Sequence, residues 1–215
     1  MRNKRIELIL EEVKETDSVL DVGCASHDHV ETHVWIHKLL CEKARRVVGI
    51  DTRLPEEERA YNIVKADVET MELDEKFDLI VAGELIEHLS NPGAFLERAR
   101  KHLKEGGRLV LTTPNPWDWT RFVRAVLRMP LIPVKDHVCW YDEQMIANLG
   151  NRYGFKVERV EFVPRLPYGG TKGSIATAFE KIVCYISRLL YWIGFKRIAS
   201  MNLFIKCSLE GEESR

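Results

Sequence analysis

The sequence predicts an α/β fold built on a parallel sheet, and two observations indicate it. Short runs rich in β-branched residues alternate with helical patterns over residues 18–111, which is typical of strand–helix–strand units. Each run is apolar along most of its length, as strands buried on both faces are. A chain of 215 residues suits one elaborated domain better than two. We therefore expect a single domain over residues 1–215.

The predicted elements of the first part of the chain follow from this alternation. An amphipathic helix lies within residues 1–17, before the first strand. The five predicted strands cover residues 18–23, 45–51, 62–67, 77–83 and 107–113. Helices are predicted over residues 29–43, 55–60 and 91–104. The last of these has Pro92 just inside its start and Gly106 after its end, as helix boundaries prefer.

The alternation breaks after Thr113, where two insertions are expected. The first covers about residues 114–137 and is followed by a helix over 142–153 and a strand over 154–163. The second covers about residues 164–200, contains a helical run over 175–195, and precedes a final strand over 202–209. We interpret both as additions to one domain.

Composition and net charge indicate which binding partners and which cellular compartment to expect. Hydrophobic residues make up 45% of the chain and charged residues 30%, and the formal net charge is −1, so no global charge favours nucleic acid. The charged N-terminus lacks an apolar signal region, and no apolar run reaches the length of a membrane span. We therefore expect a cytoplasmic protein. The five scattered cysteines predict neither a disulfide framework nor a zinc site.

The turn after the first strand, VLDVGCASHDH, is the expected ligand site, because ligands of parallel α/β sheets bind at the carboxyl ends of strands. It keeps only Gly23, which disfavours a pyrophosphate. Asp21, Asp51 and Asp67 end successive strands and are suited to ribose hydroxyls and an adenine amine. Three such acids favour a nucleoside with an amino acid attached over simple strand ends and helix caps.

These motifs, namely VLDVGC, VVGID, KAD, FDLIVAGELIEHLSNPGAFL and LKEGGRLVLTTPN, resemble those of class I S-adenosylmethionine-dependent methyltransferases. The resemblance covers about residues 15–163 and the last strand. It implies a Rossmann-like, seven-stranded, mostly parallel sheet with an antiparallel last strand and helices on both faces. It also implies cofactor-binding positions at Asp21, Gly23, Cys24, Ala25, Asp51, Thr52, Asp67, Val68 and Gly83.

The turn departs from the DxGxGxG pattern of that family, because Ala25 and His27 replace its second and third glycines. A side chain at such a position crowds a close backbone approach. We therefore predict a displaced loop and weaker cofactor binding. A catalytically inactive scaffold with this fold is the alternative.

GELIEHL, after the fourth strand, places Glu84, Glu87 and His88 at i, i+3 and i+4, which is one helical face. Two carboxylates and an imidazole suit Mg²⁺ or Mn²⁺. The ExxEH pattern is similar to ubiquinone-pathway O-methyltransferases and to small-RNA 3′-end 2′-O-methyltransferases, which are metal-dependent there. The second group also has a later His, matched here by His137. Without a metal, His88 or His137 is the candidate general base, since imidazole titrates near neutrality.

His29, His33 and His37 recur every four residues. A packed or solvated helix face explains them better than a metal site, which needs closed geometry and other ligand types.

The two insertions give further clues to the acceptor. Trp117 and Trp119 stand among Arg121, Arg124 and Arg128, a pattern typical of a membrane-surface segment or of a lid. The second insertion is apolar and suits core, a homodimer face or a lipid groove. We expect O-methylation of a small-molecule, sugar or lipid-linked hydroxyl, with peripheral contact at the inner membrane surface as an open alternative. RNA 2′-O-methylation is the rival activity, and near-neutral charge counts against it.

Overall fold

A computed structural model describes residues 3–25, 35–54, 60–130, 136–165 and 175–210, with side chains from 181 onward in the last range. The helices are α1 (Lys4–Glu11), α2 (Ile36–Lys43), α3 (Pro92–His102), α4 (Trp119–Val126), α5 (Glu143–Arg152), α6 (Ile175–Trp192) and α7 (Lys196–Ala199). The strands are β1 (Ser18–Val22), β2 (Arg46–Asp51), β3 (Ile63–Lys65), β4 (Phe77–Gly83), β5 (Leu103–Pro114), β6 (Phe155–Pro164) and β7 (Ser200–Leu209).

The strands form one seven-stranded sheet in the order β3-β2-β1-β4-β5-β7-β6. The pairs β1–β2, β1–β4, β2–β3 and β4–β5 are parallel. β7 is antiparallel to both of its neighbours, β5 and β6. The predicted Rossmann-like sheet with an antiparallel last strand is therefore confirmed.

Helices cover both faces of the sheet, and each interface is an apolar core. On one face Ile9 of α1 and Leu40 of α2 pack with strand residues. On the other face Phe95 of α3 and Ile146 of α5 do so. These side chains are almost fully buried, and strands buried on both faces explain why the predicted strands are continuously apolar.

The junction between α3 and β5 differs from the predicted one. The helix ends at His102 rather than 104, and the strand begins at Leu103 rather than 107. Leu103 already pairs with Phe77 of β4, and Gly106 adopts a φ of +69° where the register shifts. Glycine tolerates this conformation, so the two glycines lie inside the strand and not after the helix.

Two other predicted elements lie partly or wholly outside the described residues. The helix predicted over 29–43 is described from Ile36 onward, and 26–34 are outside the described part. The helix predicted over 55–60 falls on 55–59, which are also outside it. His27, His29 and His33 therefore have no described structure.

The two predicted insertions contain α4 on one side and α6 with α7 on the other. They are joined where Trp119 Nε1 donates a hydrogen bond of 2.9 Å to Ser187 Oγ. The buried Asn115 donates through Nδ2 to the Arg197 and Ser200 carbonyls at 2.6 and 2.8 Å. Both insertions are thereby tied to the end of β5. Within the described ranges, none of the helices has the length and hydrophobicity that crossing a bilayer requires.

Candidate active site

The carboxyl ends of β1, β2 and β4 meet at the turn after β1. Gly23 has a φ of +73°, and its N–H donates to the Ile50 carbonyl at 2.8 Å. A Cβ at this position would lie 3.0 Å from Leu85 Cδ1. The one glycine that the turn keeps is thus required by its conformation and by its contact with the segment after β4.

The Asp51 carboxylate holds this turn in place by accepting a hydrogen bond from its backbone. Its Oδ2 accepts from the Ala25 N–H at 3.1 Å and its Oδ1 from the Arg53 N–H at 2.9 Å. A carboxylate has about four lone-pair sites, and the contacts within the described ranges use two of them. The carboxyl group lies at the end of β2, beside the turn after β1.

Asp21 lies beside it and is held by a histidine. His37 Nδ1 is 2.9 Å from Asp21 Oδ2, and both side chains are buried. Burial raises the pKa of the Asp21 carboxyl, while the hydrogen bond from His37 lowers it. A Cβ at Gly49 would approach Cys24 Sγ to 2.6 Å and His37 Cε1 to 2.8 Å. The glycine in VVGID is therefore what lets Cys24 and His37 pack under the turn.

The remaining predicted cofactor positions lie at or just after the ends of β2, β3 and β4. Thr52 and Asp67 are exposed, Val68 is buried, and Gly83 is partly buried at the end of β4. Asp67 Oδ1 accepts from the Glu69 N–H at 2.9 Å. A Cβ on Gly83 would lie 3.7 Å from Ile36 Cδ1. The strand-end positions inferred from the sequence thus lie along the same edge of the sheet.

Next to this edge of the sheet, Glu87, His88 and His137 form a cluster. One ligand atom from each lies within 4.8 Å of those of the other two. The His88 and His137 rings meet edge to face with centroids 4.6 Å apart. The Glu87 carbonyl accepts from the Val138 N–H at 2.9 Å. This backbone bond explains why two motifs distant in the sequence come together here.

Glu84 lies outside the cluster. The predicted helical face does not form, because only Ile86–His88 make a short 3₁₀ helix and Glu84 has a φ of +54°. Its Oε2 accepts from Asn202 Nδ2 at 2.7 Å, and its Oε1 is 3.4 Å from Arg5 Nη1. This carboxylate joins α1 and β7 to the end of β4.

Burial governs the protonation of the cluster. Desolvation, with the nearby Glu84 charge, raises the pKa of Glu87 to about 8. Desolvation and the neighbouring His88 lower the pKa of His137. Near neutral pH the cluster therefore contains a protonated carboxyl and an uncharged imidazole that can accept a proton.

Several residues of the site were not inferred from the sequence. Thr113 donates through Oγ1 to Glu87 Oε2 at 3.1 Å. Arg5 and Asn202 bind Glu84 from elements far away in the chain. Thr113 stands in the TPN motif, which was a usable signal. Arg5 and Asn202 carry no local signal, because only the sheet order brings β7 beside β5.

Comparisons with known proteins agree with this geometry. A family model described as "Methyltransferase domain" matches residues 2–160. Curated relatives include a ubiquinone biosynthesis O-methyltransferase of Bradyrhizobium sp. (strain ORS 278), 32% identical over 129 residues, which cover 51% of this chain and 44% of that protein. One of Nitrobacter winogradskyi is 31% identical over 123 residues, covering 51% and 42%. The chain thus spans less than half the length of these relatives.

Solved structures share the fold at low identity. A SAM-dependent methyltransferase from Archaeoglobus fulgidus has a TM-score of 0.63 and 16% identity, over 95% of this chain and 91% of that chain. The N-methyltransferase NodS from Bradyrhizobium japonicum WM9, in complex with S-adenosyl-L-homocysteine, has a TM-score of 0.56 and 16% identity, over 97% and 85%. With the family match over most of the chain, the resemblance to class I S-adenosylmethionine-dependent methyltransferases is confirmed, and the chain belongs to the methyltransferase domain family.

Proposed function

We propose that this chain catalyses methyl transfer from S-adenosylmethionine to a hydroxyl group of a small or lipid-linked acceptor such as a sugar, quinol or phenol. The observation that carries the proposal is the cluster of Glu87, His88 and His137 beside the strand-end crevice. When bound, S-adenosylmethionine supplies an electrophilic methyl group. The names of the curated relatives support oxygen as the acceptor atom.

The crevice suits this cofactor. The Asp51 carboxylate suits ribose hydroxyls, and the Asp67 carboxylate suits an adenine amine. The buried Asp21 is suited to a cationic group. Because Ala25 already donates to Asp51, the turn keeps its connection to β2 in spite of the missing second glycine.

The histidines are suited to take the acceptor proton. His137 is half-buried, and its lowered pKa keeps the imidazole uncharged at neutral pH, which is the form that accepts a proton. His88 lies against it and is the second candidate. Positioning the acceptor and removing its proton are the main contributions that methyl transfer needs from the protein.

We further propose that Glu87, His88 and His137 hold Mg²⁺ or Mn²⁺, with Glu84 outside the ligand set. A carboxylate and two imidazoles suit Mn²⁺, whereas Mg²⁺ prefers oxygen ligands. Bound to an acceptor hydroxyl, such an ion would lower the hydroxyl pKa. The alternative is a metal-free site in which His137 alone is the base.

The test is calorimetric titration of the protein with S-adenosylmethionine, with EDTA or with Mn²⁺ or Mg²⁺, followed by transfer of labelled methyl to catechol and quinol acceptors. We expect binding that Asp51→Ala abolishes and that the exposed Asp74→Ala retains. Turnover should fall strongly in His137→Ala while cofactor binding persists.

Three results would contradict parts of the proposal. If wild-type protein fails to bind the cofactor under every condition, the chain is an inactive scaffold. Binding without transfer to any hydroxyl acceptor, but with transfer to RNA, would establish the RNA 2′-O-methyltransferase alternative. Full turnover in EDTA would contradict the metal proposal and leave His137 as the base.

We also propose that residues 1–215 form one domain whose insertions are tied to the site. Asn115, directly after β5, bonds to the Arg197 and Ser200 carbonyls, and Trp119 bonds to Ser187. Limited proteolysis should therefore leave the sheet and the described parts of both insertions in one resistant fragment. Separate, stable fragments would contradict a single domain.

A further inference from the structure

Helix α6 carries apolar side chains on two opposite faces. Val183, Cys184 and Ser187 are buried against the rest of the protein. The opposite face exposes Ile182 (57%), Tyr185 (70%), Leu189 (48%) and Trp192 (84%) to solvent. The four exposed residues recur every three to four positions, which places them on one stripe. We call this stripe of Ile182, Tyr185, Leu189 and Trp192 the α6 stripe.

Such a stripe is unusual for a protein surface. A surface helix normally turns its apolar side to the core and its polar side to water. Contiguous exposed apolar patches mark sites where another surface docks. We therefore expect another surface to cover the α6 stripe.

Cations accompany the stripe. Lys181 and Arg188 are exposed on the same helix, and at 100° per residue both fall along one side of the stripe. Lys196 and Arg197 follow in α7, and both are exposed, but the Arg197 guanidinium is already paired with Glu143 at 2.8 Å. Over residues 175–199 the sequence has these four basic residues and one acidic residue, Glu180. In a chain whose formal net charge is −1, this segment is locally basic.

We propose that the α6 stripe docks on an anionic lipid surface, with the helix lying in the plane of the interface. An apolar stripe bordered by Lys and Arg and containing Tyr and Trp is the pattern of interfacial helices. Tyr185 and Trp192 combine an apolar ring with a polar group, which suits the boundary between acyl chains and water. Lys181, Arg188 and Lys196 then meet lipid phosphates.

A second copy of this chain is the competing occupant, and charge argues against it. A two-fold symmetric dimer would place the same surface on both sides of the interface. When the two α6 helices pair antiparallel, the basic side of one α6 stripe lies near that of the other. Like charges brought together oppose association, whereas an anionic surface attracts them.

The docking surface is connected to the candidate active site. The Arg197 carbonyl, just after α6, accepts from Asn115 at the end of β5, and the Arg197 guanidinium lies 5.2 Å from the centroid of the Trp117 ring. Membrane docking itself does not depend on methyl transfer. That the bound lipid surface also supplies a lipid-linked acceptor rests on the proposed function.

Vesicle flotation of the full chain tests the proposal. We expect the protein to float with vesicles of phosphatidylcholine and phosphatidylglycerol, to stay behind with phosphatidylcholine alone, and to be released by salt. Trp192→Ser should lower the partition coefficient at least about ten-fold, from the loss of one buried large side chain. Arg188→Gln should lower it about five-fold.

Met145→Ser is the matched control, because Met145 is 52% exposed on α5, a different helix. This variant should float like wild type. Binding that is equal on neutral and anionic vesicles, absent from both, or unchanged in Trp192→Ser would overturn the proposal. So would a dimer in analytical ultracentrifugation that Trp192→Ser dissociates, because a second copy would then cover the stripe. Flotation is read without turnover, so failure of methyl transfer leaves the result interpretable.

Discussion

His37 Nδ1 lies 2.9 Å from Asp21 Oδ2, and the two side chains form a buried pair directly under the turn of the candidate cofactor site. Among the described residues, the second ring nitrogen of His37 has no hydrogen-bond partner. Within the described ranges, the imidazole therefore forms its hydrogen bond with Asp21 alone. We therefore expect His37 to act in the site by holding the Asp21 carboxyl group in position.

Removing His37 should destabilise the protein more than removing a histidine elsewhere. His37→Ala leaves the buried Asp21 carboxyl group without its hydrogen-bond partner, and leaving a buried polar group unsatisfied costs about 1–3 kcal/mol. The free energy of unfolding, from urea denaturation at neutral pH, measures the effect. His37→Ala combined with Asp21→Asn should recover most of the loss, because the unpaired charge is gone.

His102→Ala is the control for this pair, since His102 is equally buried but bonds to backbone groups far from the turn. This variant should destabilise the fold without the selective loss of S-adenosylmethionine affinity that we expect in His37→Ala. Equal losses of affinity in the two variants, at matched stability, would show that His37 acts only through general packing.

The stability of the wild-type protein should fall with rising pH because of Glu87. Its pKa is raised from 4.5 to about 8 in the folded state, so folding favours the protonated form. This contribution is fully present below pH 4.5 and is lost as the pH rises through about 8. Between these values the folded state holds one extra proton, which gives a slope of about 1.4 kcal/mol per pH unit.

Glu87→Gln removes the titrating group and should flatten this part of the profile. Urea denaturation of both proteins in EDTA from pH 5 to pH 8.5, which are about the limits set by these pKa values, measures the difference. The variant should gain stability relative to wild type as the pH rises. Parallel profiles would mean that Glu87 is ionised in the folded protein throughout.

Mn²⁺ affinity should depend on the three clustered residues Glu87, His88 and His137 and not on Glu84. Glu87→Gln and His137→Asn each remove a ligand, and we expect affinity losses of at least about ten-fold, measured by the electron paramagnetic resonance signal of free Mn²⁺. Wild-type affinity should rise with pH, because the metal competes with the proton on Glu87. Glu84→Gln is the matched control and should retain Mn²⁺ binding. A similar loss in that variant would restore the four-ligand set predicted from the sequence.

Asp118 should determine whether α4 stays folded. One oxygen of its buried carboxyl accepts from the Thr120 N–H at 2.9 Å, and the other is paired with Arg165. Asp118→Ala removes the helix cap and the ion pair with Arg165, so hydrogen exchange in α4 should become faster. Asp118→Asn keeps a good cap and should show a smaller change. Identical exchange in the two variants would mean that the cap contributes little and the ion pair dominates.

The sequence by itself determined the sheet and most of its strand boundaries. The apolar runs that became β1, β2, β4 and β7 are buried, and burial is what their composition selects. The acids at strand ends were also predictable, because the carboxyl ends of parallel strands share one edge. The positions of Asp21 and Asp51 at one edge of the sheet follow from this rule.

The tertiary structure alone decided which neighbours those residues have. Glu84 was expected on a helical face with Glu87 and His88, but the chain turns through a positive φ there, and Asn202 and Arg5 bind the carboxylate instead. These contacts join residues more than 70 positions apart in the sequence, so no local pattern encodes them. His37 was attributed to a packed or solvated face, and packing against β1 and β2 gave it Asp21 as a partner. Periodicity predicts which side of an element is buried, whereas the order of strands in the sheet determines what lies against that side.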